Sequence, residues 1–364
     1  MKLAELCKYL DTVIPLPFQE DYDNSGLQLG FPEYEITSAL LTIDVTEAVI
    51  EEAVRLGSSL IISHHPLLFR GLKKITGGSH TERIVSMAIK ADIAIYSAHT
   101  NLDAVDFGVS RKMASKLKLQ RVKVLEPLKN GLLKLVTFIP ESHFETVRDK
   151  LFEAGAGVIG NYDQCGFSLT GKGSFRAGDN TSPFTGERGK LHIESEVRLE
   201  TVLFSHLKIP VVRALLDSHP YEEVAYDLYP LENDNVDAGL GCVGEFDRPL
   251  SEIDFLNMIS SVFDARGVKY SALTGRQVKK VALCGGSGAS LISKALGSGA
   301  DAFVTADIRY HDFSDAGNMI LLVDAGHFET EKFTTEILYD LIIKKFPKFA
   351  VRFSETNTNP INYL

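Results

Sequence analysis

Cysteine is scarce in this sequence. Its four copies, Cys7, Cys165, Cys242 and Cys284, never stand at C-x-x-C spacing, which excludes a disulfide framework and a cysteine-built zinc site. Long hydrophobic runs are missing as well. No stretch approaches the ~18 uninterrupted apolar residues that a membrane-spanning helix needs. Lys2, Glu5, Lys8 and Asp11 interrupt the start where a signal peptide needs a continuous apolar stretch, so the expected location is the cytoplasm. Positive charge is in deficit. With 38 Lys and Arg against 48 Asp and Glu the formal charge is -10, which repels a polyanion and argues against nucleic acid as a partner, although a local basic patch can still hold a phosphate.

What is present describes a folded chain of more than one domain. Hydrophobic residues at 45% and charged residues at 24% sit near the globular average, which argues against disordered and fibrous classes. The 364 residues are too many for one ordinary core, and about 150 residues per domain gives two or three.

The first third alternates strands and helices. After an N-terminal helix and a glycine-containing loop at 21–30, the apolar run 36–44 reads as a buried parallel strand. Thr46 is placed as the N-cap of an amphipathic helix that stops at Gly57. A second strand delivers His64 and His65, and a third ends in SAHTNLD. The last third repeats this rhythm. ALLTID-helix-SLIISHH matches VALCGG-helix-DAFVTAD, and IAIYSAHTNLD matches MILLVDAGHFETE, which then opens a long helix near Phe328. The fold class predicted is therefore α/β, with two similar α/β halves forming one outer domain. Residues 125–248 read differently, as βαββαβ with alternating strands. That is the order of a ferredoxin-like α+β insert, with a mobile loop expected at 178–189, leaving 1–124 and 249–364 as the outer domain.

The informative histidines sit at strand ends. His64 and His65 precede Pro66 at the carboxyl edge of the sheet, where open α/β folds place ligands. His99 and Asp103, and His327 and Glu331, form i,i+4 pairs at the ends of matching strands, one helical turn apart and so on one face. Imidazole nitrogen with carboxylate oxygen suits zinc, iron or manganese. A single histidine near a strand end is more often a hydrogen-bonded structural residue, but six such groups at one sheet end outweigh that reading. They also exceed what one ion takes up, and two divalent ions bridged by a carboxylate, roughly 3.5 to 4 Å apart, fit the count.

Other signals are weaker. The turn Gly285-Gly286-Ser287-Gly288 offers backbone amides to a phosphate but lacks the P-loop and dinucleotide fingerprints, so a plain tight turn is the stronger reading. Asp307 and His311 fall at the strand end equivalent to His64, as partners of the ligands or as proton donor and acceptor. His219, in the insert, reads as structural.

These motifs resemble a known family. DNSGLQLG, SHHP, SAHTNLD, TADIRYHD and DAGHFETE look like those of the GTP cyclohydrolase 1 type 2-like proteins, also called the Nif-three-like family, and cover both outer thirds in order. The insert, with HPYEEVAYDLYPL, is similar to that of the long bacterial members, related in shape to PII and CutA-type trimeric domains. The resemblance implies a dinuclear metal site at His64, His65, Asp103, His327 and Glu331, with His99 close by, and a homohexameric ring whose sites face an internal cavity. Ala306 departs from the family's usual T-G-D glycine. Two functional readings follow. In the first the chain is a metal-dependent hydrolase acting on a nucleotide or similar small molecule, with His99 or His311 as proton donor and Lys73, Lys74, Arg309 or the Gly285 turn as anion contacts. In the second it is a non-catalytic metal-binding or regulatory ring with a sensor-like insert.

Overall fold

The apolar run 36–44 forms the strand Ser38–Thr42, buried at every residue after the first. Thr46 caps the following helix, Glu47–Leu56, its Oγ1 accepting from the Val49 amide at 3.2 Å. Gly57 ends that helix with a left-handed φ of 64°. The computed structural model describes residues 1–129 and 131–364, and the chain divides into two units, Met1–Pro127 with Val236–Leu364, and Leu128–Asn235.

The first unit holds two sheets of matching plan. In one, Ser38–Thr42, Leu60–Ser63 and Ala94–Ser97 run parallel in adjacent order, with Gly26–Leu29 antiparallel beside the third. In the other, Val278–Ser287, Ala302–Ala306 and Leu321–Asp324 repeat that order, with Lys269–Tyr270 antiparallel beside the third. The two α/β halves expected from the repeated motifs are thus two sheets with the same strand sequence. The chain's final strand, Ala350–Phe353, returns to pair with Ser38–Thr42 and ties the halves together. Helices bury the apolar faces, with Val49, Ile50, Ile84 and Ala88 on Leu40, Ile61 and Ile95 in one half, and Leu291 and Ala295 on Ala282, Phe303 and Leu322 in the other.

Two elements differ from the sequence reading. The loop expected at 21–30 contains the edge strand Gly26–Leu29, whose irregular four-residue register gives too little alternation to read. The long helix expected from Phe328 is two helices, His327–Glu331 and Thr334–Lys345. Between them Phe333 turns inward, its ring 5.9 Å from that of Phe263.

The second unit is the ferredoxin-like insert. Its antiparallel sheet runs Gly166–Arg176, Leu191–Phe204, Leu132–Pro140, Tyr226–Pro230, and the helices Phe144–Glu153 and Lys208–Ser218 pack on one face through Val147, Leu151, Val211 and Leu215. The division falls at 127/128 and 235/236, against 125 and 248 in the sequence reading. Residues 236–248 lie in the strand Asn235–Leu250, where Cys242, Val243, Gly244 and Glu245 pair with the outer unit's Val278–Ser287. Alternation marks a strand but not the sheet it joins. Among the described residues no helix is long and apolar enough to cross a membrane, and all four cysteines are free.

Candidate metal centre

Strand ends in both halves of the first unit deliver the same kind of group. The strand Leu60–Ser63 runs directly into His64 and His65, whose amides extend the ladder to Thr42 O and Ile43 O. Ala94–Ser97 leads to His99, which precedes the one-turn helix Thr100–Ala104 carrying Asp103. Leu321–Asp324 leads through Gly326, at φ 91°, to His327–Glu331.

Each of the four imidazoles is held from behind through Nδ1. His64 is paired with Ala98 O at 2.8 Å, His65 with Asp44 Oδ1 at 2.7 Å, His99 with Asp23 Oδ1 at 2.8 Å, and His327 with Asp307 Oδ2 at 2.7 Å. A carbonyl or carboxylate accepts only, so Nδ1 carries the hydrogen and a neutral ring turns a bare Nε2 lone pair the other way. That is the arrangement in which proteins orient metal-ligating histidine. Asp23 is itself fixed, accepting from the Thr100 amide at 3.1 Å and from the Thr100 hydroxyl.

The inward atoms form two groups joined by one carboxylate. Glu331 Oε1 lies 3.5 Å from His64 Nε2, which is 3.9 Å from Asp103 Oδ1. Glu331 Oε2 lies 3.0 Å from the Nε2 of both His65 and His327, and those two nitrogens stand 3.3 Å apart. His99 joins His64 and His65 in a third grouping within 4.8 Å. Atoms each bound at about 2.0–2.2 Å to one ion stand roughly 3–3.5 Å from one another, which these separations approximate. Three of the buried atoms, His64 Nε2, Asp103 Oδ1 and Glu331 Oε2, have no hydrogen-bond partner. Buried polar atoms without partners are costly, so the donor set fits divalent cations.

The electrostatics of the cluster are correspondingly displaced. Burial pushes the Asp103 carboxyl up to about 6, against the pull of the histidines. Burial opposes ionisation of Glu331 too, but His64, His327 and His65 hold it well below the usual carboxylate range. For His65 and His327 burial favours the neutral ring, yet the carboxylates on either side override it. Asp44 and Glu331 raise His65 to about 10, and Glu331 and Asp307 raise His327 to about 9.

The other expected residues are placed as follows. His311 is exposed on the helix Tyr310–Ala316 with its ring against Tyr310, outside the cluster. Two amides of the Gly285 turn are engaged: Gly285 N donates to Ser110 Oγ and Gly286 N to Thr330 Oγ1. Those two amides are not free to hold a phosphate. The role of the turn is close packing, since a Cβ on Gly286 would overlap the Glu331 carboxylate. Arg309 is paired with Asp312 at 3.0 Å, while Lys73 and Lys74 are exposed. His219 is structural, bonded to Phe138 O and the Tyr221 amide. Sequence reasoning missed Asp23 and Asp44. Both stand inside quoted motifs, and Asp44 carries a readable signal, a carboxylate ending an apolar strand.

Two sheets of like order converging histidines and carboxylates from their strand ends define an α/β protein with a candidate metal centre. Comparison with known proteins gives the family: the Duf34/NIF3 (NGG1p interacting factor 3) model matches residues 1–360, and the chain belongs to it. A Bacillus subtilis protein called GTP cyclohydrolase 1 type 2 homolog is 39% identical over 99% of this chain and 98% of its own. A Staphylococcus epidermidis protein of the same name is 33% identical over 100% of both chains. Among solved structures, a Bacillus cereus protein related to NIF3 superposes with a TM-score of 0.86 at 36% identity, covering 100% of this chain and 99% of that one.

Proposed function

We propose that the chain is a dinuclear metal-dependent hydrolase acting on a nucleotide or similar small molecule. His64, Asp103 and Glu331 Oε1 would hold one divalent ion, and His65, His327 and Glu331 Oε2 a second, with zinc, iron and manganese the metals best matched to such N/O donors. The observation that carries this reading is the opposition of two imidazole Nε2 atoms at 3.3 Å, both with Nδ1 bonded to a carboxylate. Bare lone pairs repel at that distance. A proton or a cation between them removes the repulsion, and the bridging Glu331 and orphaned Asp103 call for more charge than one proton. When bound, such ions supply Lewis acidity and water that ionises near neutral pH.

The chain's own residues do the rest. Asp44, Asp307 and Asp23 fix the rings in the tautomer that presents Nε2, and their negative charge favours an imidazolium. His99, aligned by Asp23 but outside both carboxylate-bridged sets, is assigned to proton transfer. Its Nδ1–H is committed to Asp23, so Nε2 accepts a proton first and returns it to a leaving group. An aromatic rim supports a planar heterocyclic substrate: Phe69 stands edge-on to His99 at 6.4 Å, and the exposed Tyr22 flanks Phe69 at 6.2 Å. The resemblance to the family adds a homohexameric ring to the proposal, which a measured solution mass checks.

The test is elemental analysis of freshly purified protein, then a nucleotide and phosphoester screen, GTP included, with the identified metal restored. Turnover that Glu331→Gln abolishes is the expected result. Full metal occupancy with no turnover of any substrate would favour the non-catalytic metal-handling reading.

A further inference from the structure

The insert contains a cavity of about 650 Å³ that no part of the reading above uses. It lies on the sheet face opposite the two helices. Leu169 pairs with Arg198, Gly171 with Glu196 and Phe175 with His192, so these residues share one face, while Ser168 and Leu199 share the other, where Leu199 joins the helical core. The connection after Arg176 brings Thr181, Pro183 and Phe184 over this face, and the segment holding Tyr221 closes a third side. The volume falls within the range of small-molecule pockets.

Its walls are aromatic and its floor is acidic. Tyr221 is the hub, with ring centroids 6.0 Å from Phe175 and 6.2 Å from Phe184. Phe184 is 52% exposed, with the His143 ring edge-on to it at 5.2 Å. Between these rings lies Glu196, only 8% exposed. Tyr221 Oη donates to Glu196 Oε1 at 2.9 Å, and among the described residues no hydrogen bond reaches Oε2. The carboxylate reclines over Gly173, where a Cβ would overlap it. Gly171 opens onto empty space, a Cβ there meeting nothing within 4 Å.

Of the other charges lining the cavity, Lys172 and Arg176 pair with Ser195 and Leu191 and so alternate onto the Ser168 face, away from Glu196, while Glu223 adds a second carboxylate with no ion pair among the described residues. Arg198 is paired with Glu200 at 2.9 Å and lies over the Phe138 ring, and Glu222 accepts from the Ser182 amide through both oxygens. The group on this face without a protein partner is therefore an acceptor, a carboxylate oxygen that opens on the cavity among aromatic faces, which attract cations. We propose that this cavity binds a small organic cation, an apolar or planar body carrying an ammonium, amidinium or guanidinium group. Glu196 Oε2 accepts from the cationic head, Tyr221 orients the carboxylate, and Phe175, Phe184 and Tyr221 enclose the body.

Calorimetric or ligand-observed NMR titration of the full-length protein tests this with three near-isosteric probes: benzamidinium, neutral benzamide and anionic benzoate. Benzamidinium should bind at least about tenfold more tightly than either of the others, the margin of a charge-assisted hydrogen bond. Glu196→Gln should erase that preference. Gly171→Val should abolish binding by filling the space above the strand, and it suits the extended backbone there. Both variants should keep the parent melting temperature and metal content, which separates loss of this site from loss of fold. If Glu196→Gln does not fold, Gly171→Val alone decides. A preference for benzoate would make Arg198 the anchor and overturn the proposal. So would undiminished binding in Gly171→Val, or no binding of benzamidinium at all.

Discussion

His65 Nε2 and His327 Nε2 lie 3.3 Å apart although 262 positions separate them in the chain. One comes from the first half's second strand and the other from the second half's third, so neither sheet alone brings them together. Both nitrogens also stand 3.0 Å from Glu331 Oε2. His327→Ala should therefore remove one ion and leave the set built on His64 and Asp103. Glu331→Gln should lose both, because its two oxygens face different sets. Metal-to-protein ratios by mass spectrometry check this. Equal ratios in the two variants would mean that Glu331 does not bridge.

The raised values of about 10 for His65 and about 9 for His327 set a pH dependence for the metal-free protein. An unfolded histidine titrates near ~6.5, so the folded state holds extra protons above that pH. The stabilisation is fully present below ~6.5 and is lost as pH rises through the folded values. Metal ligation requires neutral rings, so bound ions displace these protons and gain affinity as pH rises. The melting-temperature gap between metal-loaded and chelator-treated protein should widen from pH 6.5 to pH 9. A gap that narrows over that interval would show that the imidazoles are not the ligands.

Gly286 bears no ligand, yet its substitution should damage the site. Its φ of 61° costs an L-residue about 1–2 kcal/mol, and an added methyl group overlaps the Glu331 carboxylate. Gly286→Ala should lower metal content as well as stability. Gly299→Ala, at a φ of 72° where a Cβ meets nothing within 4 Å, is the matched control. Intact metal content in Gly286→Ala would mean that Glu331 moves without consequence.

The aspartates behind the rings are open to the same measurement. Asp44→Asn or Asp307→Asn leaves a side chain able to accept from Nδ1–H but removes the charge that raises ring basicity. Losses of outer partners of this kind reduce metal affinity by about 10–100-fold. Competition against a chromophoric chelator should show that loss with the far-UV spectrum unchanged, whereas parent affinity in both variants would confine these carboxylates to a structural role.

Much of this was legible in the sequence because period and end-residues carry it. Buried parallel strands read as apolar runs, so the residue ending each run marks the sheet edge, and His64, His65, His99 and His327 all fall there. The i,i+4 spacing put Glu331 beside His327, whereas His99 stands outside the helix that carries Asp103, and Asp103 faces His64 at 3.9 Å instead. Asp23 was harder to see, since a residue in an irregular loop reaches His99 across 76 positions, and no local period encodes that. His311 misled for the opposite reason. Equivalence of strand ends places a residue's backbone, but Asp307, at a left-handed φ of 55°, turns the chain so that Asp307 faces His327 while His311 faces solvent.

The insert should be dispensable for the metal centre, and the structure shows where to cut. Its flanking strands, Gln120–Leu128 and Asn235–Leu250, are neighbours in the outer unit's sheet, so its two ends leave from adjacent strands. Within the insert the ends also meet, Gly131 approaching Asn235 closely enough that an added Cβ would lie 3.1 Å from it. A short Gly/Ser turn in place of 128–235 therefore closes a hairpin and need not span a gap, which keeps the loop entropy small. None of the residues in the two ligand sets, nor the aspartates behind them, lies in the replaced segment. The shortened protein should fold, take up the parent complement of metal, and lose only binding of organic cations. Loss of metal from a shortened chain with a native-like far-UV spectrum and a cooperative melt would show that the insert supplies something to the centre.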